Sequence, residues 1–417
     1  MPDPSLAIGG VEAAVLADEY GTPLLALDTD VLDATLARFG DLASELKLDV
    51  AYAGKALLVV ALAERLAKTG LRLDVCSLGE IHTAERAGFP AARMVLHGCG
   101  KSDEELAAAA NGRVARVVAD HAEELERLAR IASASSPVEV LLRINPGIEA
   151  HTHAYVRTGG EDSKFGFPAG GVEAAIAQAS ATPSLRLIGI HSHLGSNIFE
   201  ATPYEASLSI SIEAYARAAE GGAPMRELVI GGGFGVDAHP RGERLDLAAT
   251  LKALANHLQR EARRLGIDAP RLGIEPGRAI VAQAGTSLYR VITVKRQGLR
   301  RFAIVDGSLA DNPRPALYGA YHHPLAVGRT FAAEWEETTV CGRSCENDEL
   351  VVAQLPADLR AGDLLALQST GAYTFSMASN YNRFPRPPLV FAGGGRHRAV
   401  VRRESLDDLV RNDLQHR

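Results

Sequence analysis

Between residues 50 and 277, eight short apolar runs alternate with segments of helical period. They read VAYAG (50–54), LDVC (73–76), MVLHG (94–98), VVAD (117–120), VLLRIN (140–145), LIGIHSH (187–193), LVIGGG (228–233) and GIEPG (273–277). The stretches between them include LVVALAERLAKTG, DEELAAAANG, AEELERLARIASA and LAATLKALANHLQREARRLG, which are amphipathic at helical spacing. Eight strands alternating with helices predict an α/β chain whose parallel sheet closes into a (β/α)8 barrel. A doubly wound open sheet is the alternative on pattern alone.

After Gly277 the pattern changes. AIVAQAGTSLYRVITVKRQ, RFAIVDG, TTVCG, ELVVAQL, DLLALQ and LVFAGGGRHRAVV are strand-like and follow one another without long helices. They predict a separate C-terminal β domain over 278–417, with the barrel over 29–277 and the segment 1–28, carrying the strand-like LLALD (24–28), joining the β domain. One long irregular segment, Pro146 to Pro168, follows the fifth run, and loops of that length tend to be functional lids.

The 47% hydrophobic and 23% charged residues are those of a globular protein, and a net charge of −7 gives no pull toward nucleic acid. No apolar run approaches the ~20 residues of a membrane span. The N-terminal MPDPSLAIGG lacks the basic-then-apolar pattern of a secretory signal, and the four cysteines form no C-x-x-C pair. A cytoplasmic protein with free thiols, acting on a small molecule, is expected.

Barrels place their chemistry at the carboxyl ends of their strands. Those ends carry Lys55, Asp74, His97, Asn145, His191, His193, Gly231 to Gly233 and Glu275. Lys55 is either a solvated charge or an amine held in the barrel mouth, where partial desolvation permits a Schiff base. IGGGFG (230–235) is either a tight turn or a loop whose backbone N–H groups approach a phosphate. His191 and His193 alternate, which also admits a metal-dependent hydrolase with His97 and Asp120 as further ligands. Glu275, in EPGR, either pairs with Arg278 or meets a protonated heterocycle nitrogen. An amine, a phosphate cradle, a flat imidazole and a carboxylate around one barrel mouth are what pyridoxal phosphate requires.

Over nearly its whole length the chain resembles the fold-type III pyridoxal phosphate decarboxylases, most closely those acting on diaminopimelate. The resemblance is carried in order by YGTPLLALD, AYAGKA, HGCGKS, LRINPGIEAHTHAYVRTGGEDSKFGF, GIHSHLGSNIF, IGGGFG, EPGR, DNPRPALYGAYH, SCENDE and GAYTFSMASNYNRFPRP. It implies an alanine-racemase-like barrel plus a C-terminal β domain, and pyridoxal 5'-phosphate as cofactor. Lys55 then looks like the Schiff-base lysine and His193 like the imidazole stacked on the cofactor ring. Ser196, Gly232, Gly233, Gly277 and Arg278 fall near the phosphate or substrate, and Tyr373 matches the tyrosine that closes on both. Glu275 resembles the partner of the pyridinium nitrogen. A carboxylate there keeps the ring a strong electron sink, which favours decarboxylation over the racemisation run by relatives with arginine in that role.

The resemblance also gives Cys345 a role as proton donor from the partner subunit of a homodimer. Glu346 resembles the holder of the substrate's distal ammonium, and Arg278, Arg314 and Tyr318 match the holders of its distal carboxylate, which arginine binds bidentately. These residues favour meso-diaminopimelate, giving L-lysine and CO2. The family's usual GPxCESGD is here GRSCENDE, with Arg343, Asp348 and Glu349 in place of proline, glycine and aspartate. Asn197 and Phe384 stand where glutamine and arginine are common. These departures lie by the substrate, so a specialised decarboxylase acting on D-lysine, D-ornithine or a siderophore or antibiotic intermediate is the alternative. A cofactor-binding protein without decarboxylase activity is a further one.

Overall fold

The computed structural model describes residues 5–148, 163–236 and 245–414. The chain divides into two compact units. One takes in Leu36–Val236 and the segment ending at Ala279; the other takes in the residues up to Thr35 and those from Ile280 onward.

The first unit is built on eight parallel strands: β1 (Asp49–Ala53), β2 (Arg72–Val75), β3 (Met94–Leu96), β4 (Arg116–Ala119), β5 (Val138–Arg143), β6 (Leu185–His191), β7 (Glu227–Val229) and β8 (Arg271–Ile274). Each apolar run of the sequence supplies one strand. β8 pairs with β1 and β6 with β7, so the sheet closes on itself and the open doubly wound alternative is excluded. Four of the helices between strands begin at side-chain caps, from Ser77, Ser102, His121 and Asp246. Ser102 and Glu105 form a reciprocal capping box at the start of Asp103–Ala110. Asp246 accepts from Ala249 N at the start of Leu247–Leu265, which ends at Gly266 in the left-handed region. That helix buries Leu247, Leu251, Leu254, Leu258 and Ala262, one stripe at helical spacing.

The barrel interior is layered. Val95, Val118, Leu141 and Ile188, with Val229 against them, form an apolar layer. At the amino ends of the strands the buried Arg116 donates to Glu227 and lies 3.8 Å from Asp49, which pairs with Arg72 at 2.6 Å. At the carboxyl ends stand Asp74, His97, His191 and Glu275. Between the ion pairs of the amino ends and the apolar layer lies a void of about 30 Å³, lined among others by Asp49, Arg116, Val118 and Glu227. The apolar layer therefore separates an ion-paired floor from a chemically different mouth.

In the second unit, Leu24–Asp28 lies between Gly285–Gln297, its antiparallel neighbour, and Leu389–Gly393, its parallel one. The sheet continues on one side through Arg300–Val305, Trp335–Cys341 and Glu349–Pro356, and on the other through Arg396–Val401. Leu364–Gln368 and Pro324–Val327 branch from it. The strand-like reading of AIVAQ is corrected: Arg278–Val281 is one helical turn after the Pro276–Gly277 corner, and the strand starts only at Gly285. Residues 149–162 of the expected Pro146–Pro168 lid lie outside the described residues.

Candidate active site

The barrel unit gathers one set of the expected residues at its mouth. Lys55 sits in the single turn Gly54–Ala56 that follows β1, with its side chain exposed. The turn hugs the barrel, since a Cβ on Gly54 would meet Asp74 O at 2.8 Å. After β7 the glycine loop is fixed by close backbone approach. Gly231 and Gly233 have φ of +71° and +89°, and a Cβ on Gly232 would fall 2.0 Å from Glu275 O. Only glycine fits such a path. Gly232 N donates to His193 Nδ1 at 3.3 Å and Ile198 N to Gly233 O at 2.8 Å, so the glycine loop and the loop after β6 hold each other. Arg278 donates to Ser196 Oγ at 3.1 Å, placing a cation and a hydroxyl side by side. Gly277 packs where a Cβ would meet those of Ala53 and Ala56 at 3.1 Å.

Glu275 follows β8 directly and accepts from His191 Nε2 at 3.0 Å. Its other oxygen lies 3.4 Å from His97 Nε2. Burial alone would raise this carboxyl, but the His191 and His97 imidazoles beside it hold it well below the ordinary carboxylate range. Asp74 is pushed the other way, well above its usual value, by burial and by the charge on Glu275. Burial drives the His97 imidazole down to about 3 and also lowers His193, with Lys55 adding to the effect on His193. Charge is therefore favoured on Glu275 and disfavoured on Asp74.

The donor set suits pyridoxal phosphate. An amine (Lys55), a neutral flat imidazole (His193), an ionised buried carboxylate (Glu275), and a cation and hydroxyl beside a side-chain-free glycine loop (Arg278, Ser196, Gly231 to Gly233) are its four requirements. When bound, that cofactor supplies an electron sink for the pair left behind by a departing carboxylate.

The second unit gathers the other set. Arg314 is buried at the start of the short helix Arg314–Tyr318, its guanidinium carbon 5.0 Å from the Tyr318 ring centre and 5.3 Å from that of Tyr373. Tyr373 holds φ of +61°, a strained value for a tyrosine and one common at ligand clamps. Cys345 and Glu346 are exposed on a loop whose backbone is pinned. Cys345 N donates to Asn382 Oδ1 at 3.0 Å, and Tyr381 OH donates to Glu346 Oε1 at 2.5 Å.

The departures from the family pattern have physical reasons. Asp348 is buried, and its carboxylate accepts from Leu309 N at 2.7 Å and Ser344 N at 3.2 Å, bracing the cysteine loop. Asn197 has φ of +65°, which asparagine tolerates better than glutamine, and its Oδ1 accepts from Val236 N. The Arg343 guanidinium lies over the Phe384 ring.

The H-x-H pairing of His191 with His193 does not hold. β6 ends at His191, so strict alternation stops before His193, which turns to Gly232 while His191 turns to Glu275. Among the described residues, His97, His191 and Glu275 bring ligand atoms within 4.8 Å of one another; neither His193 nor Asp120 belongs to that group. Asp120 instead accepts from Gly166 N. Two residues escaped the sequence reading. Arg143 is buried at the end of β5 with its guanidinium 4.4 Å from the Phe165 ring centre, and an arginine inside the apolar run VLLRIN was the available signal. Lys101, of HGCGKS, is 2% exposed and donates to Gly98 O, Val118 O and Glu124, locking the loop after β3.

Residues 32–282 match the family described as pyridoxal-dependent decarboxylase, pyridoxal binding domain. Diaminopimelate decarboxylase of Actinosynnema pretiosum subsp. auranticum is 42% identical over 98% of this chain and 92% of its own length. That of Bacillus subtilis is 40% identical over 98% and 95%. A crystal structure of diaminopimelate decarboxylase from M. jannaschii in co-complex with L-lysine superposes with a TM-score of 0.91 at 28% identity, covering 100% of this chain and 97% of that one. With barrel, glycine loop and carboxylate in place, the chain belongs to the pyridoxal-dependent decarboxylase family.

Proposed function

We propose that this chain is a carboxy-lyase that converts meso-2,6-diaminopimelate to L-lysine and CO2 with pyridoxal 5'-phosphate, the closing reaction of lysine biosynthesis. The observation that carries the reading is Arg314. A buried guanidinium set between Tyr318 and Tyr373 is a rigid bidentate holder for a carboxylate. A substrate with a second carboxylate, far from the reacting one, suits such a guanidinium. Relatives that share this chain's full length bear the name of that activity.

Within this reading Lys55 holds the cofactor and Glu275 faces its pyridine nitrogen. Ser196, Gly232, Gly233, Gly277 and Arg278 bind phosphate, while His193 lies against the ring. Arg278, Arg314 and Tyr318 hold the distal carboxylate, Glu346 holds the distal ammonium, and Tyr373 closes over both ligands. Cys345 gives its Sγ proton to the α-carbon once CO2 has left, and becomes a thiolate. The thiol comes from the neighbouring subunit, so the working form is a homodimer. The setting is cytoplasmic; no helix among the described residues is long and apolar enough to cross a membrane.

The test is CO2 release by the cofactor-loaded protein from meso-diaminopimelate, run beside L-lysine, D-lysine, D-ornithine and L-ornithine. Release from diaminopimelate alone is expected. Release from a mono-carboxylate in preference to it would overturn the assignment of Arg314.

A further inference from the structure

The Glu275 carboxylate meets two imidazoles, and only one of them, His191, makes a hydrogen bond of ordinary length. His97 stands on the other side, its Nε2 3.4 Å from Glu275 Oε1 and equally 3.4 Å from Asp74 Oδ1. Three separate strands, β3, β6 and β8, thus converge on one acid. We infer that His97 is a positioning residue for Glu275: with His191 it flanks both carboxylate oxygens, so that the charge meeting the pyridine nitrogen is aimed before the cofactor arrives. This deepens the reading of Glu275 given above and rests on it.

The His97 backbone is itself held. Its N–H donates to Val75 O at 2.8 Å, and the next residue, Gly98, offers its carbonyl to the buried Lys101 ammonium at 2.7 Å. The ring packs edge-on against His191, with centroids 5.3 Å apart. A neutral imidazole has one N–H to give. Placed on Nε2 it points at two acids, and only the ionised one is a strong acceptor. Burial and the charge on Glu275 push Asp74 toward its protonated form, and among the described residues neither its Oδ1 nor His97 Nε2 has a hydrogen-bond partner at normal distance. An N–H on His97 Nε2, 3.4 Å from both acids, is drawn to Glu275 as the better acceptor. A buried carboxylate that loses N–H donors shifts toward its protonated form. A protonated Glu275 could no longer keep a pyridine nitrogen protonated. Lys55 from the turn after β1, Lys101 after β3, Arg143 from β5, and Glu80 and Asp49 also act on this cluster, and Lys101 is engaged by Gly98 O, Val118 O and Glu124.

The experiment loads the full chain with pyridoxal phosphate labelled with 15N in the ring and reads the pyridine nitrogen by solid-state NMR, with cofactor affinity measured by fluorescence titration. In His97→Leu the nitrogen is expected to move toward the unprotonated shift, and affinity to fall roughly tenfold, the order of one charge-assisted hydrogen bond. His97→Gln, whose amide can still donate toward Glu275, is expected to restore both. Should the leucine variant fail to fold, His97→Asn replaces it, since its shorter amide falls away from Glu275. A protonated nitrogen in His97→Leu or His97→Asn, with affinity as in the parent, overturns the inference. Glu275→Gln separates the two readings. If it also leaves the nitrogen protonated, the placement of Glu275 opposite the ring has failed. If it removes the proton while the His97 variants do not, only the role of His97 has failed.

Discussion

The guanidinium carbon of Arg343 lies 4.5 Å from the centre of the Phe384 ring, joining two positions at which this chain departs from the common family pattern. Two changes that look unrelated in sequence form one cation–π contact between the cysteine loop and the segment that carries Asn382. The contact ties down the same loop that Asn382 Oδ1 pins at Cys345 N. Arg343→Ala and Phe384→Ala are each expected to lower kcat several-fold, and the double variant to be no worse than the worse single. A double-mutant cycle should return a coupling of about 0.5–1 kcal/mol, as for a partly exposed cation–π pair. Strict additivity would show that the two side chains act independently.

Asp348→Gly restores the residue common in the family, yet here it should harm the protein. The buried Asp348 carboxylate satisfies Leu309 N and Ser344 N, and a glycine leaves both donors without it. A loss of about 1–3 kcal/mol in denaturant unfolding is expected, together with slower turnover. Unchanged stability would mean that water replaces the carboxylate without cost.

Lys55→Ala removes the amine in the turn after β1. The variant is expected to bind pyridoxal phosphate without the visible absorbance of a lysine-bound cofactor, and to release no CO2. A parent-like visible spectrum would move the attachment to another lysine.

Cys345→Ala should separate binding from proton delivery. The thiol stands on an exposed loop of the second unit, outside the barrel cluster, so cofactor affinity and spectrum should stay as in the parent. Turnover should fall by about 10²-fold or more, the usual loss for a general acid. Mixing Cys345→Ala with Lys55→Ala tests the shared-site dimer as well: recovered activity would come from mixed dimers with one intact site, and no recovery would contradict donation of the thiol across subunits.

The eight strands were legible because each is a short apolar run bounded by a helix of the right period, but closure was not, since only the pairing of β8 with β1 excludes an open sheet. The strand-end residues were legible with the strands. Their partners were not. Nothing in LDVC, MVLHG and GIEPG says that Asp74, His97 and Glu275 meet, because strands distant in sequence set that spacing. Arg143 was hidden by its apolar neighbours, and Lys101 by looking like an ordinary surface lysine before a helix. The Asp348 brace was not legible for a related reason. Read alone, it replaces a flexible glycine with a rigid residue; in the fold its side chain supplies the hydrogen bonds that define the loop.

The buried cluster should also leave a mark on stability. Burial drives His97 down to about 3, against an unfolded value of about 6.5. Between those values the unfolded chain binds a proton that the folded chain does not, so His97 makes the fold less stable as pH falls through that window. His193, also lowered, acts with the same sign, and Asp74, raised by burial, acts with the opposite one. The individual signs cancel out of a comparison between the parent and His97→Gln, in which only His97 changes. Denaturant unfolding of the cofactor-free proteins from pH 7 to pH 4 should therefore show the parent losing stability more steeply than the variant. The difference approaches about 1.4 kcal/mol per pH unit well below pH 6.5. Parallel profiles would mean that His97 takes up a proton in the folded state and is not the neutral imidazole proposed beside Glu275.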